Sequence, residues 1–460
     1  MNLMENNQEK RIPGVLTGEE IDIARRCMAF ALENGADKIR VTLNKGVSDI
    51  LAMLDGTLDK IAHSLDRSIS FSLFVDGRFG AFGSNRIEEK ELQDFIRNSI
   101  GTVRMLAPDP CRDLPDPART AKNALTGREL DLYDPAYETL TAEDRLALAE
   151  RSTVFARRAA LEDGFTLLSE EGEYSDSICD SIVLDSNGLQ ARHTETYFGV
   201  YYSVTVADGA GNRYSSSWWD GSSRLSDVKV EECSPTAIRR AAAQIGPRPN
   251  AGGRLNLVVD SECASMVLGP VLSALDGYLI QQNNSFLRDK LGERVFPETL
   301  TVLDEPQVPG RAGSHLFDSE GVATRACPII EKGVISQYFI NTYMSRKLGM
   351  APTAEDPARP RLVPVGGCVT REDVLRKMDR GILVTGFNGG NSNPATGDFS
   401  YGIDGFWFED GVIRYPVREM VMTGNFIDLW NHLAVTGNDA RPCMSRIVPT
   451  LAFTDVDFSS

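Results

Sequence analysis

Short segments in which polar and apolar residues alternate, each ending at a turn dipeptide, constrain the fold of this chain most. Residues 69–75 alternate in this way and run into Asp76-Gly77. Asp and Gly accept the positive φ angles that a two-residue hairpin turn requires, so the pattern predicts antiparallel strand pairs. Comparable turn sequences are Asn187-Gly188, Asp208-Gly209, Asp276-Gly277, Glu331-Lys332-Gly333, Asp404-Gly405 and Asp410-Gly411.

Helical patterns lie between these strand pairs. Thr17 and Glu20 form a capping box in front of apolar residues at helical spacing, which continue to Gly35. Because the helices alternate with strand pairs rather than with single parallel strands, we expect an α+β fold. Further helices are predicted to begin near Glu88, near Thr141 (ending at Gly164) and at Ser261 (kinked at Gly269-Pro270).

The chain is long enough for about three domains. Four prolines between residues 107 and 118 cannot continue a helix, so we predict a linker there. The predicted division is an N-terminal α+β domain at 1–118, a central domain at 119–245 and a C-terminal domain at 246–460. Helices and antiparallel sheet should make up the first two domains, and the third should be rich in strands.

The charge balance argues against a nucleic-acid partner. Lys and Arg number 48 against 65 Asp and Glu, which leaves a net charge of −17, whereas phosphate binding needs clustered cations. The first residues contain no apolar segment of the kind a secretory signal has, and the uncharged stretch 263–275 is too short to span a membrane. Eight scattered cysteines without a CxxC pair indicate reduced thiols. We expect a cytoplasmic protein that binds neither membrane nor nucleic acid.

Common catalytic motifs are absent. The four histidines are far apart in the sequence, and neither HExxH nor HExxxH occurs. His315 and Cys443 are the weak candidates for metal binding, and they could act with Asp318 or Glu320 only if the fold brought them together. The Gly- and Asn-rich segment 389–397 is unusual, since Gly and Asn leave backbone amides available to a ligand or a partner chain.

Three blocks of the last 200 residues resemble a known family. They are LDGYLIQQNNSFLRDKLGERV (275–295), FDSEGVATRACPIIEKGVISQYFINT (317–342) and the long block 381–439 that begins GILVTGFNGGNSNPATGDFSYG. All three closely resemble the TldD/TldE family, also called PmbA or modulator of DNA gyrase. The string TGDFSYGIDGFWFEDG is similar to the TldE type.

This resemblance implies a zinc metallopeptidase family in which TldD-type members carry HExxxH on a helix. The two histidine positions fall on Leu268 and Ser273 of this chain, and the glutamate position falls on Gly269. Leucine offers zinc no lone pair, and glycine cannot abstract a proton. Cys443 falls near a late cysteine that ligates the metal in the family. The implied reading is a chain without a catalytic site or a cofactor of its own.

The favoured hypothesis is a non-catalytic, TldE/PmbA-type subunit. Zinc is then expected in a TldD-like catalytic partner, the substrates would be unfolded or short peptides, and the chain would form a homo- or heterodimer. An exposed strand of the third domain could hold an extended peptide. Two alternatives stay open: a self-sufficient hydrolase with an unrecognised site, and a protein-binding modulator of DNA gyrase or a toxin. The predicted peptide- or partner-facing loop comprises Asn283, Asn284, Gly390, Asn391, Asn393, Thr396, Gly397 and Asp398.

Overall fold

The structure is a computed structural model that describes residues 12–124, 127–153 and 165–460. Helices and several sheets share the described chain, which confirms the expected α+β class. No helix within these ranges is long and apolar enough to cross a membrane.

Two compact units make up the described chain, and the segment between residues 165 and 230 contributes to both. The three-domain division with boundaries at 118 and 245 stays a prediction. The first unit contains residues 12–153 as described, 171–201 and 219–230, and the second contains 165–170, 202–218 and 231–460.

Long antiparallel hairpins dominate the first unit. Its sheet has the strand order β3-β2-β1-β4-β5-β6. The two-residue turns Asp55-Gly56 and Asp76-Gly77 have positive φ at both residues, as the sequence predicted for Asp76-Gly77. The strands are β1 (Lys38–Leu54), β2 (Thr57–Val75), β3 (Arg78–Ser84), β4 (Thr166–Asp185), β5 (Gln190–Ala207) and β6 (Arg213–Ser222).

Helices α1 (Gly18–Glu33) and α2 (Glu89–Val103) contribute to the core of this unit. The predicted capping box is present, since the Thr17 hydroxyl accepts from the Glu20 amide and the Glu20 carboxylate accepts from the Thr17 amide. The core combines one face of each helix with alternate residues of the strands. Its members include Ala24, Cys27, Ile39, Val41, Leu43, Ile69, Phe71, Leu73, Leu92 and Ile96.

The second unit contains a ring of paired strands. Its larger sheet has the order β14-β13-β12-β7-β16-β15, and a further pairing of β14 with β16 closes the first five strands on themselves. A smaller sheet has the order β10-β9-β8-β11. The strands are β7 (Gly253–Val259), β8 (Val302–Asp304), β9 (Cys327–Glu331), β10 (Val334–Ile335), β11 (Pro360–Leu362), β12 (Gly381–Ser392), β13 (Asp398–Glu409), β14 (Val412–Asn425), β15 (Leu433–Thr436) and β16 (Leu451–Ser459).

The remaining helices are short, and α5 contributes most to the core. Val267, Leu268, Val271 and Leu272 on α5 are all buried in the largest apolar cluster of the chain. The helices are α3 (Ala142–Thr153), α4 (Val230–Ala242), α5 (Ser265–Ser273), α6 (Gly277–Gln281), α7 (Thr342–Leu348), α8 (Arg371–Met378) and α9 (Phe426–Asn431).

Two predicted turns have other roles. Asp404-Gly405 lies inside β13, at a shift of register. Glycine is needed at position 405, because a Cβ atom there would come within 2.2 Å of the Leu383 carbonyl oxygen. Asp276 caps α6 by accepting from the Tyr278 and Leu279 amides. The Asp-Gly pair of a helix cap or of a β-bulge has the same sequence as that of a hairpin turn. Only the hydrogen bonding of the surrounding segments distinguishes the three.

Two predicted helices differ in their limits. The helix predicted from Ser261 begins at Ser265, since residues 261–264 form turns. The helix predicted near Thr141 is present as α3, but its predicted end lies outside the described residues.

A buried carboxylate links distant segments of the first unit. Asp180 is fully buried and accepts hydrogen bonds from the Leu16 amide at 2.7 Å, the Thr194 hydroxyl at 2.9 Å and the Arg192 Nε at 3.0 Å. Removing one side of a buried ion pair leaves the other charge without compensation.

We therefore expect Asp180→Ala to lower the free energy of unfolding by about 3–5 kcal/mol. The control is Asp94→Ala, which removes the exposed pair with Arg97 and should cost less than about 1 kcal/mol. Urea denaturation of both variants measures the difference. Similar small effects for the two variants would contradict the structural role of Asp180.

Candidate functional site

Helix α5 carries the positions at which the resemblance places a zinc motif. Leu268 is fully buried in the core, Gly269 is buried, and Ser273 is exposed. Ser273 is the last residue of the helix and follows Pro270. The buried Leu268 side chain offers a metal no ligand atom, and the exposed Ser273 side chain offers only a hydroxyl.

An arginine lies against the glycine of this helix. A Cβ atom at Gly269 would be 3.1 Å from Nη1 of Arg446, so the guanidinium lies beside the point where a glutamate side chain would begin. The Arg446 side chain is exposed and positively charged. A cation at this position disfavours a second cation such as Zn²⁺.

Carboxylates near the start of α5 are already paired. Glu262 forms an ion pair with Arg441, and Asp260 forms one with Arg371 at 2.7 Å. The Arg441 guanidinium also lies 4.2 Å from the centre of the Trp218 ring, with Arg240 5.2 Å from the same ring. Neither carboxylate is available to a metal without breaking its ion pair.

The cysteine that precedes this helix in the chain has an unreactive thiol. Cys263 is buried, and burial raises the pKa of its thiol far above its ordinary value. The thiol donates weakly to the carbonyl oxygens of Asp260 and Val384. Since a metal binds the thiolate, a thiol held in its protonated form is a poor ligand.

The residues around α5 thus do not fit a zinc site. Catalytic zinc takes three protein ligands, and Leu268, Gly269 and Ser273 supply no imidazole or carboxylate. Throughout the described ranges, no group of three or more His, Cys, Asp or Glu could hold a metal ion. The half-buried Cys443 and His315 belong to no such group.

Asp318 and Glu320 have structural hydrogen bonds. Asp318 accepts from the Val322 amide at 2.9 Å and from the Glu320 amide at 3.0 Å, which holds its own turn. Glu320 accepts from the amide and the hydroxyl of Thr342 at the start of α7. These oxygens stabilise local backbone, as the carboxylates of turns and helix starts commonly do.

The Gly- and Asn-rich loop is ordered by its own hydrogen bonds. The Gly397 amide donates to the Asn393 carbonyl at 2.8 Å, and the Thr396 hydroxyl donates to the Asp398 carboxylate at 2.7 Å. Gly390, at φ 103°, lets β12 approach β13, because Cβ there would be 2.0 Å from the Ser400 carbonyl oxygen. Side chains of Asn391, Asn393, Thr396 and Asp398 are exposed.

Asn283 and Asn284 lie in a turn that leads to this loop. Asn283 has φ 58°, and the Asn284 amide donates to the Leu279 carbonyl. Phe286, two residues further on, packs beneath Gly397, and its amide donates to the Pro394 carbonyl at 2.9 Å. The structure therefore brings the two predicted segments together. A peptide- or partner-facing role for them stays a prediction.

Sequence reasoning missed the arginine and aromatic side chains around α5. Trp218 and Arg441 meet although they are more than 200 positions apart in the sequence. Arg446 and Gly269 are similarly distant. No local pattern could have found these contacts.

Comparisons with known proteins identify the family of this chain. Residues 136–245 match the PmbA/TldA metallopeptidase central domain, and residues 252–460 match the C-terminal domain of the same family. Both matched domains are those of a metallopeptidase family, and the fold is α+β. The chain belongs to the PmbA/TldD family.

Three relatives illustrate the match. Metalloprotease PmbA of Escherichia coli O157:H7 is 26% identical over 92% of this chain and 94% of its own length. A Bacteroides thetaiotaomicron structure described as a candidate modulator of DNA gyrase is 36% identical, with a TM-score of 0.91 over 96% of this chain and 99% of that one. TldE of Thermococcus kodakarensis shares the fold, with 19% identity, a TM-score of 0.81 and coverage of 95% and 100%.

Replacing Leu268 by a metal-binding side chain tests the geometry of α5. Leu268→His places an imidazole in the apolar core without a partner and should lower the free energy of unfolding by about 3 kcal/mol or more. Ser273→His is the control, since its exposed side chain should change stability by less than about 0.5 kcal/mol. Chemical denaturation measures both, and equal effects would place Leu268 outside the core.

The pH dependence of stability tests the surroundings of Asp318. Burial raises the pKa of this carboxyl to about 6, and the nearby charge of Glu320 adds to the effect. The folded chain then binds this proton more tightly than the unfolded chain, so its contribution to stability is present near pH 4 and is lost as the pH rises through 6. Removing the group should flatten this dependence.

We expect the free energy of unfolding of Asp318→Asn, taken relative to wild type at the same pH, to rise by about 2 kcal/mol between pH 4 and pH 7. Comparing the variant with wild type at the same pH removes the contribution of the other titrating groups. Asp373→Asn is the control, because hydrogen bonds from Thr370 lower the pKa of Asp373 to about 2, so this group titrates below the tested range and its difference from wild type should stay nearly constant between pH 4 and pH 7. An Asp318→Asn difference that does not vary with pH would contradict the raised pKa.

Proposed function

We propose that this chain is a non-catalytic, TldE/PmbA-type subunit of a zinc metallopeptidase. The observation that carries the proposal is the chemistry of α5, on which Leu268 is buried, Gly269 lacks a side chain and Ser273 offers only a hydroxyl. Activation of a water molecule for peptide hydrolysis needs a metal or a general base at this place, and these residues supply neither.

The catalytic zinc would then belong to a TldD-like partner subunit. That both TldD and TldE homologues exist in this family supports such a pairing. In this arrangement the positively charged Arg446 side chain lies beside Gly269, where the family resemblance places the catalytic base. The chain would contribute binding surface rather than chemistry.

The substrates we propose are unfolded or short peptides. The edge strands of the smaller sheet are poor candidates for holding them by strand pairing, because both are already bonded to neighbouring segments. The Leu362 amide in β11 donates to the Ile447 carbonyl, and the Ile335 amide in β10 donates to the Glu293 carbonyl. A peptide would instead meet exposed side chains, and the loop with Asn391, Asn393 and Thr396 is the surface we favour.

Activity measurements with and without a partner test this proposal. The purified chain alone, supplied with zinc, should not cleave unfolded casein or short peptides and should retain far less than one equivalent of zinc after dialysis. Adding a TldD-like subunit from the same source should produce cleavage. The control is that subunit with the glutamate of its HExxxH motif replaced by glutamine, which should leave the mixture inactive.

Chelator-sensitive cleavage by the chain alone would overturn the proposal. It would assign the hydrolysis to residues of this chain, and His315 and Cys443 would be the first to substitute. Failure of any TldD-like subunit to gain activity from this chain would also count against it.

A further inference from the structure

One long edge of the first sheet has no neighbouring strand in the described part of the chain. Strand β2 runs from Thr57 to Val75, but β3 pairs only with its second part, Ile69–Val75. Between Thr57 and Ser68 the strand has β1 on one side and no described strand on the other. An unpaired edge of this length offers a row of backbone donors and acceptors to another chain.

Apolar side chains continue to this edge and are uncovered there. Ile61 is 66% exposed and Leu65 is 54% exposed. Their neighbours across the hairpin, Leu51 and Val47 in β1, are buried. The apolar residues on this face are therefore buried on β1 but exposed on β2. Proteins normally protect an apolar sheet edge of this kind.

The hairpin geometry shows which backbone groups face the edge. Val75 and Arg78 flank the two-residue turn Asp76-Gly77, so they form a hydrogen-bonded pair. Because orientation alternates along a strand, the odd-numbered residues of β2 direct their N–H and C=O groups away from β1. In the unpaired part these are Ile61, His63, Leu65 and Arg67, in a stretch without a register shift against β1.

The side chains of this edge are complementary to themselves. When two copies of β2 run antiparallel about a two-fold axis at His63, residues whose numbers sum to 126 face each other. Asp59 then faces Arg67 of the second copy, and Lys60 faces Asp66 of the second copy. Ile61 faces Leu65 of the second copy, so opposite charges and apolar residues are both matched.

Other registers lose this matching. A shift of one residue places residues whose N–H and C=O groups point toward β1 opposite residues whose groups point to the edge. The hydrogen bonds between the two copies then cannot form. A shift of two residues in either direction opposes Ile61 to His63 or to Arg67. Lys60 then faces Ser64 or Ser68 instead of a carboxylate.

We propose that two copies of this chain associate by pairing β2 with β2 in this register, with His63 on the two-fold axis. The interface is isologous, so each of its matched pairs occurs twice. Asp59, Lys60 and Asp66 are all exposed and accessible to a second copy, while Arg67 also approaches Glu20 at 3.4 Å. The proposal is independent of the catalytic role, since it concerns the chain by itself.

Disulfide trapping tests the register. In a chain with the exposed native thiol removed by Cys179→Ser, His63→Cys places two cysteines opposite each other, about 5.5 Å apart at Cα, which suits a disulfide. Mild oxidation should give a covalent dimer on denaturing gels. Leu58→Cys in the same background is the control, because its two copies would be about 33 Å apart and should stay monomeric.

Charge reversal tests the pairing without a covalent bond. Lys60→Asp puts two like charges opposite each other twice in the dimer and should weaken association roughly tenfold in sedimentation equilibrium. Adding Asp66→Lys to it should restore the affinity. Lys122→Asp, an exposed lysine outside β2, should have no effect.

Three results would overturn the proposal: a wild-type chain that stays monomeric at all concentrations, equal trapping of Leu58→Cys and His63→Cys, or a double charge reversal that does not recover association. These experiments measure self-association and not peptide cleavage. Failure here is therefore distinguishable from failure of the proposed subunit role.

Discussion

Backbone pairing across two-residue turns is the constraint on which the rest of the first unit depends. Asp55-Gly56 and Asp76-Gly77 take the positive φ angles that close tight hairpins, and each turn determines the register of the strands that it joins. With that register, Ile39, Val41 and Leu43 all lie on the face that packs with α1 and α2. The first half of β2 has β1 on one side but no described strand on the other, because β3 pairs only with Ile69–Val75.

The second unit depends on burial of α5. Its apolar residues are buried in the largest apolar cluster, which also contains residues of the strand ring, and this burial constrains the orientation of the helix. Leu268, onto which the family resemblance places a histidine position, contributes to the core. Near the start of the helix, Arg371 pairs with Asp260 and Arg441 pairs with Glu262.

The fold could be predicted from local patterns to a large extent. The Thr17–Glu20 capping box, the Asp76-Gly77 hairpin and the helix from Glu89 all follow from rules that act within a few residues. Asp276 and Asp404 were misread because a helix cap and a bulge use the same residues as a turn, and only the pairing of distant strands distinguishes them. The arginines around α5 could not be predicted, since they come from segments far from it in sequence.

The sequence by itself determined the α+β class, most of the hairpins and the family resemblance, because each rests on local residue order. It also determined that the chain contains neither HExxH nor HExxxH. Only the tertiary structure decided that Leu268 is in the core, that Arg446 lies beside Gly269 and that part of β2 has no second strand beside it within the described residues. Burial and contact depend on which distant segments meet, and a linear pattern does not contain that information.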